Sequence, residues 1–418
     1  MAQTLANADA IMKDLYVGPI IEELNQRTYL IDQIERDTDH VDHTGRRAII
    51  PVHKNRNRGR GSTGDAGVLP TAGQQAYLDA IVNIRYHYYG IDVSDASIQA
   101  SSSSDGAFLS TLEAETKGVA VDMRKDINRQ AFGDGTGLLG NVTSASGQVI
   151  TMVNPIDVQY IRIGDTVDLL VQSSGAVSAG GTGLVVTARN VAAGTITVTG
   201  TITTAASVNT TYGIYISGNR SQEMDGLRNI TAVGRTLHSI DSTVAGNQFW
   251  DGSEILVGSA VGTTVVAGEA SFETLSDLIG QSGNGDVEVF LTTRGIRRKL
   301  ADTYTSQKRF NDTNAVDVHG GYSAIMVNEI PVISDDDAPK QWVFGFNKSA
   351  LRWFEQTSPG WLQSQGGDIF QLRATTPVGT SVASWQAWFR WYVALGSVAP
   401  NRTGRLRYCT DDLPATNS

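Results

Sequence analysis

The chain has 418 residues, a formal net charge of −10 at pH 7 and 40% hydrophobic residues. Its length exceeds one ordinary core, so two or three domains are expected, and its acidic balance excludes a general nucleic-acid binder. The single cysteine, Cys409, excludes an intrachain disulfide and suits a reducing compartment or indifference to redox. The opening MAQTLANADAIMKDLY lacks a basic region and a continuous apolar core, so no signal peptide is expected. No apolar run approaches the ~18 residues of a membrane span.

Residues 1–9 read as a short polar arm. Residues 10–36 carry a helical pattern through Ile11, Leu15, Ile20, Ile21, Leu24, Leu30, Ile31 and Ile34, interrupted at Pro19, where a ring without an N–H kinks or splits a helix. Next comes a hairpin with arms at residues 46–54 and 75–89. In the second arm Leu78, Ala80, Val82, Ile84, Tyr86 and Tyr88 fall on one face, and Tyr77, Asp79, Ile81, Asn83, Arg85 and His87 on the other, the period of two of a strand. The tip of about twenty residues far exceeds ordinary hairpin loops of 2–5. It carries Arg56, Arg58 and Arg60 at alternate positions. Arms this long need cover from another chain.

Residues 105–133 predict one long helix, roughly 40 Å at ~1.5 Å per residue. Asp105 can cap its start, and Leu109, Leu112, Val119, Ala120, Met123, Ile127 and Ala131 line one face, with Gly133 as the stop. Gly118 sits inside the helix, at a cost of about 1 kcal/mol, and is a candidate hinge. Residues 143–220 hold no Lys and are dense in Val, Thr, Ile and Gly. Short strands at 148–153, 165–172, 183–188 and 194–203 predict a small β-barrel or sandwich, inserted between mixed αβ segments. Beyond residue 223 follow a helix at 271–282, a strand at 286–291 and a helix at 294–304 capped by Thr292 or Thr293. A strand pair at 322–333, a turn at 335–339 and strands at 342–346, 350–354, 370–374 and 386–395 complete the pattern. The remainder reads as a tail.

No stretch carries the marks of catalysis. Gly135, Gly137 and Gly140 spell G-x-G-x-x-G, but a dinucleotide site needs that motif after a strand and before a helix, and here the order is reversed. A flexible exit from the long helix is the better reading. Asp335, Asp336 and Asp337 are consecutive, whereas two-metal catalysis needs carboxylates that converge in space, so a polar loop is expected. His40 and His43 stand near Asp37, Asp39 and Asp42, a spacing that fits a solvated helix end better than a metal site. There is no Walker loop, no G-x-S-x-G, and no histidine near Cys409 in sequence. No catalytic, cofactor-binding or metal-ligating residue is therefore expected, and no cofactor. Arg56, Arg58 and Arg60 could meet phosphate, but in an acidic chain they are expected to meet acidic side chains of a neighbouring subunit.

The order of these parts resembles the major capsid proteins of tailed double-stranded DNA bacteriophages. NRQAFGDGTGLLGNV resembles that family's exit from its spine helix, residues 271–300 its axial helix–strand–helix, and NEIPVISDDDAP with WVFGFNKSALRWFE its return to the peripheral domain. The resemblance implies an α+β capsid fold with an N-terminal arm and helix (1–45), an extended loop (46–100) and a spine helix (101–142). It further implies an axial domain (223–340) and a return to the peripheral domain with a C-terminal tail (341–418), with residues 143–222 as an extra all-β domain. It implies a homo-oligomer of hexamers and pentamers in an icosahedral virion shell, assembled in the host cytoplasm. Such a shell would enclose DNA without sequence-specific binding and contact no membrane. Because no helical scaffolding segment precedes the arm, the resemblance implies a separate scaffolding protein and a portal, and allows a decoration protein. The candidate inter-subunit contacts are Lys54, Arg56, Arg58, Arg60, Tyr86 and Tyr88. Some members cross-link a loop Lys to an Asn; Lys54 and Asn401 are the conceivable pair, against an ordinary surface lysine. The alternatives are an encapsulin-like nanocompartment shell and a β-rich surface or fibre protein.

Overall fold

The computed structural model describes residues 29–38, 46–100, 111–202, 208–260, 262–283, 285–308, 325–363, 368–374 and 381–412. The expected arm and most of the first helical segment, Asp105 and Leu109, and His40, His43 and His319 lie outside them.

The described chain begins with a short helix, α1 (Tyr29–Gln33), inside the segment expected to be helical, followed by a short strand β1 (Arg36–Asp37). β2 (Arg47–Asn55) and β3 (Ala76–Asn83) pair antiparallel from Arg47↔Asn83 to Asn55↔Ala76. β4 (Arg85–Ser94) then leaves this hairpin. The single long arm expected at 75–89 is thus two strands in two sheets. Ile84 is the break: it belongs to neither strand, and its N–H donates to the Arg46 carbonyl at 3.0 Å. One residue outside the alternation flips every later side chain to the other face. Ala80, Val82 and Ile84 are buried before the break, but His87, Ile91 and Val93 after it, so Tyr86 and Tyr88 face outward.

After α2 (Asp95–Ala100) comes the long helix α3 (Thr111–Phe132), 22 residues and roughly 33 Å. Val119, Met123, Ile127 and Ala131 form its buried stripe, and it packs on β4. The exit turns on Gly135 (φ +79°) and Gly137 (φ +78°), a left-handed backbone that glycine adopts without strain. Asp134 Oδ1 accepts the Thr136 N–H within that turn at 3.2 Å.

β5 (Leu138–Met152), β6 (Thr166–Val171), β7 (Leu184–Asn190), β8 (Thr195–Ile202) and β9 (Tyr212–Ile216) close into a barrel in the order β5-β8-β7-β6-β9. Ile150, Val167, Leu169, Val186, Ile196, Val198 and Ile214 fill it. The barrel begins at Leu138, five residues before the composition shift, because β5 starts directly at the glycine exit.

The chain continues through α4 (Leu227–Ile230), the two-strand ribbon β10 (Thr236–Leu237) and β11 (Ile240–Asp241), β12 (Ser253–Leu256) and α5 (Glu269–Gly283). Then follow β13 (Val289–Thr292), α6 (Arg294–Lys308), β14 (Ile325–Val327), β15 (Ile330–Ser334) and β16 (Trp342–Phe346). β17 (Leu351–Trp361), β18 (Gln371–Ala374), β19 (Ser381–Ser397) and β20 (Thr403–Arg407) end it.

Two further sheets organise these strands. β1, β17, β19 and β18 run in that order, with β4 also paired along β19. The other sheet has the order β12-β20-β16-β13-β15-β14. α5 covers it, with Phe272 edge-on to Phe290 at 5.0 Å. A boundary at residue 340 therefore cuts through a sheet, since β16 and β20 pair with strands on the earlier side. The expected tail is in part an interior strand. Its pattern, Thr-Gly-Arg-Leu-Arg, offers one large apolar residue, so no strand signal shows. Tertiary partners bury it: a Cβ on Gly404 would lie 2.8 Å from Leu275 Cδ1, and Arg405 is paired with Glu254 and stacked over Trp342 at 5.0 Å.

Candidate functional site

The expected contact residues sit on two surfaces. Arg56, Arg58 and Arg60 are exposed in the tip between β2 and β3, where Val68 and Leu69 are 91% and 81% exposed. Lys54 is half-buried at the base of that tip. The Asn401 amide donates to the Ser282 carbonyl at 3.2 Å. Tyr86 and Tyr88 stand on the outer face of β4 around Tyr392 of β19. The Tyr88 and Tyr392 hydroxyls are 2.6 Å apart, and Tyr86 meets the Tyr392 ring edge-on at 4.9 Å. Burial and the Tyr392 hydrogen bond push the Tyr88 phenol up to about 12, so it stays protonated. The sequence brings these tyrosines to the surface together, but on the sheet rather than on the loop.

A second cluster was not legible as a site. At the C-terminal end of α3, Arg129 Nη2 and Nη1 donate to Glu223 Oε1 and Oε2 at 2.6 and 3.2 Å, and Arg129 Nε donates to Asp126 at 2.9 Å. Gln130 Nε2 donates to the other Asp126 oxygen at 2.9 Å, and Asn219 donates to Glu223 Oε1 at 2.9 Å. Burial raises the Asp126 carboxyl, but Arg129 and the hydrogen bonds from Tyr89, Arg129 and Gln130 outweigh it and bring the pKa to about 2. Burial holds Glu223 above its usual range. The only sequence hint was polar residues placed on the last turns of a helix that should be apolar there.

The three aspartates form a turn, as expected, and two of them are buried. Asp335 and Asp337 are 4% and 8% exposed. Asn128 of α3 donates to Asp335 Oδ1 at 3.1 Å and to Asp337 Oδ2 at 2.8 Å, and the Asp337 N–H donates to Asp335 Oδ1 at 2.9 Å. Asp336 points instead to Arg294 at 2.8 Å. Burial pushes Asp337 up to about 7, opposed by the Asn128 hydrogen bond. Two carboxyls share one amide donor and the third faces away, which ties a turn to the long helix and supplies no convergent metal ligands. Among the described residues no group of three His, Cys, Asp or Glu could hold a metal ion, and no helix is long and apolar enough to cross a membrane. Burial pushes the Cys409 thiol up to about 12, which leaves it unreactive.

No protein-family model and no curated protein sequence matches the chain. Its structure is similar to a chain of the cyanophage A-1(L) capsid asymmetric unit, with a TM-score of 0.58, 11% identity, and 98% of this chain and 100% of that chain covered. Weaker likenesses include a chain of Mycobacterium phage Bobi (TM-score 0.48, 11% identity, 97% and 99% covered). Another is the holo-SrpI encapsulin complex of Synechococcus elongatus PCC 7942 (TM-score 0.47, 9% identity, 100% and 99% covered). The mixed α/β architecture therefore shares its fold with the chain of the cyanophage capsid. More specifically, it is the fold of phage capsid proteins, which is what the order of arm, loop, helix and sheets implied.

Proposed function

We propose that the chain is the structural subunit of the icosahedral head of a tailed double-stranded DNA phage, assembling into hexamers and pentamers and catalysing no reaction. The observation that carries this reading is the likeness to the cyanophage A-1(L) capsid chain over 98% of its length. The loop supports it. Val68 and Leu69 are almost fully exposed beside three exposed arginines, and such a tip gains cover from a second copy. Lys54, Arg56, Arg58, Arg60, Tyr86 and Tyr88 are the contact residues on this reading, and Gly118 is the bending point of α3 as the shell changes shape. Many weak contacts per subunit add up to a strong shell through multivalency. A net charge of −10 leaves enclosed DNA free to move. The β5–β9 barrel faces outward, away from DNA. A scaffolding protein and a portal come from separate chains. Sedimentation and negative-stain microscopy of the expressed chain test the reading: capsomers or shells are expected, and a well-behaved monomer of 44.7 kDa would overturn it. Deleting residues 56–74 should leave the circular dichroism spectrum intact and block shell closure. Normal closure would sink the role given to the loop.

A further inference from the structure

Three guanidiniums lie against one indole. The guanidinium carbons of Arg228, Arg405 and Arg407 stand 5.1, 5.0 and 4.9 Å from the centre of the Trp342 ring. The sheet sets two of them there. Trp342 of β16 is directly opposite Arg407 of β20. Arg405, two residues earlier, falls on the same face, and Leu406 between them turns into the core. Arg228 comes from α4. Glu254, opposite Arg405 on β12, is paired with both Arg405 and Arg407.

The balance of charge around the ring is positive. Three guanidiniums meet one carboxylate, on a chain whose net charge is −10. One layer further out, Lys340 adds a positive charge and Asp157, on which Arg228 and Lys340 both act, a negative one. Arg235, which also acts on Arg405's surroundings, is itself paired with Asp251. Two positive charges are therefore in surplus. Burial holds the Arg405 guanidinium below its ordinary range; Glu254 opposes this, and repulsion from Arg407 and Arg228 adds to it. Like charges this close cost free energy unless an opposite charge joins them.

The hydrogen-bonding edges mark the place for that charge. Stacking uses the flat face of a guanidinium and leaves its N–H edge free in the plane. Arg405 uses its edge on Glu254 and on the Arg228 carbonyl at 2.7 Å. Arg407 donates to Glu254 at 3.2 Å and to the Tyr408 hydroxyl at 2.9 Å. The Arg228 guanidinium and the Lys340 ammonium have no hydrogen-bond or ion-pair partner among the described residues, and none of their nitrogens is sealed from solvent. The Arg407 side chain is 27% exposed, and Arg228, Trp342 and Tyr408 are half-buried, so the cluster is reachable.

We propose that this cluster is a binding site for a phosphate group, held by the free N–H edge of Arg228, with Arg407 and Lys340 completing the charge. A phosphate dianion matches a surplus of two, and its oxygens accept from a planar N–H edge in pairs. A single carboxylate would balance half of the surplus. Two sources carry the group: free phosphate, and the phosphodiester backbone of enclosed nucleic acid, in which two consecutive links bear the same charge. The site stands without the shell reading, and only the second source rests on it.

The test uses the unassembled full-length chain labelled with 5-fluorotryptophan, at pH 7.5 and constant ionic strength, with the Trp342 19F resonance assigned through Trp342→Phe. Inorganic phosphate exchanged for chloride should move that resonance saturably. Arg228→Gln should weaken the response at least tenfold. Arg352→Gln, which removes a surface arginine paired with Glu35, should leave it unchanged. Because the Arg228 guanidinium has no hydrogen-bond partner, Arg228→Gln should keep the parent's circular dichroism spectrum. No saturable movement, or equal movement with nitrate in place of phosphate, overturns the site on the wild-type chain alone. An undiminished response in Arg228→Gln overturns its assignment to this cluster. A twelve-base-pair DNA duplex is then titrated in place of phosphate. The same Arg228-dependent movement supports the site with phosphodiesters as its source, and a response to phosphate but not to the duplex supports it with the free ion. All of this is read on the free chain, so a chain that fails to form shells overturns the shell reading and leaves these results standing.

Discussion

Replacing Asp337 by asparagine removes a buried charge while keeping the shape of the side chain and an oxygen that can accept from Asn128. Burial raises the Asp337 carboxyl from an ordinary 3.8 to about 7. The folded chain therefore holds a proton there that the unfolded chain has already lost, over the window from about pH 4 to about pH 7. Stability contributed by this group is fully present below the unfolded pKa and disappears as pH rises through the folded one. A shift of about 3 units at 1.36 kcal/mol per unit corresponds to ~4 kcal/mol as an upper figure. The 8% exposure of the side chain leaves little solvent screening to reduce it. Asp337→Asn should thus be more stable than the parent at pH 8.5, by up to ~4 kcal/mol, and differ from it by less than ~1 kcal/mol at pH 4. Urea unfolding midpoints of both proteins at the two pH values read this out. A variant no more stable at pH 8.5, or an equal difference at both pH values, would refute the claim that this carboxylate is held against its own desolvation.

Two further outcomes concern the long helix. Arg129→Met leaves Asp126 and Glu223 as buried, uncompensated carboxylates and should cost about 3–5 kcal/mol in chemical denaturation. Most of that loss should return in the triple variant Arg129→Met/Glu223→Leu/Asp126→Asn, which removes both stranded carboxylates, and a triple variant as unstable as the single one would show that packing, not charge, is at stake. Gly118→Ala meets no atom within 4 Å of the new Cβ. It should raise stability by about 1 kcal/mol in thermal melts, since alanine restricts the unfolded chain. On the shell reading it should also slow expansion, and particles that expand and fill normally would remove Gly118 as a hinge.

Local pattern determined much of this protein. A period of 3.6 placed α3, α5 and α6, and a period of two with glycine turns placed the first hairpin arm and four of the five barrel strands, missing β9 (Tyr212–Ile216). The stripe Val119, Met123, Ile127 and Ala131 is buried because side chains at that spacing share one face whatever they pack on. Tertiary structure decided the rest. Which face of residues 85–94 is buried depended on a one-residue break at Ile84, invisible to a count of alternating residues. That β20 is an interior strand depended on Glu254, Trp342 and Leu275, residues far away in sequence that turn a polar pentapeptide into core. Three aspartates in a row read as a polar loop, and they form one, yet two of them are buried against Asn128 of a distant helix. Hydrophobic period is a property of neighbours along the chain, so it survives in the sequence. Burial of a polar group depends on which partners arrive through space, and that is known only once the fold has brought them together.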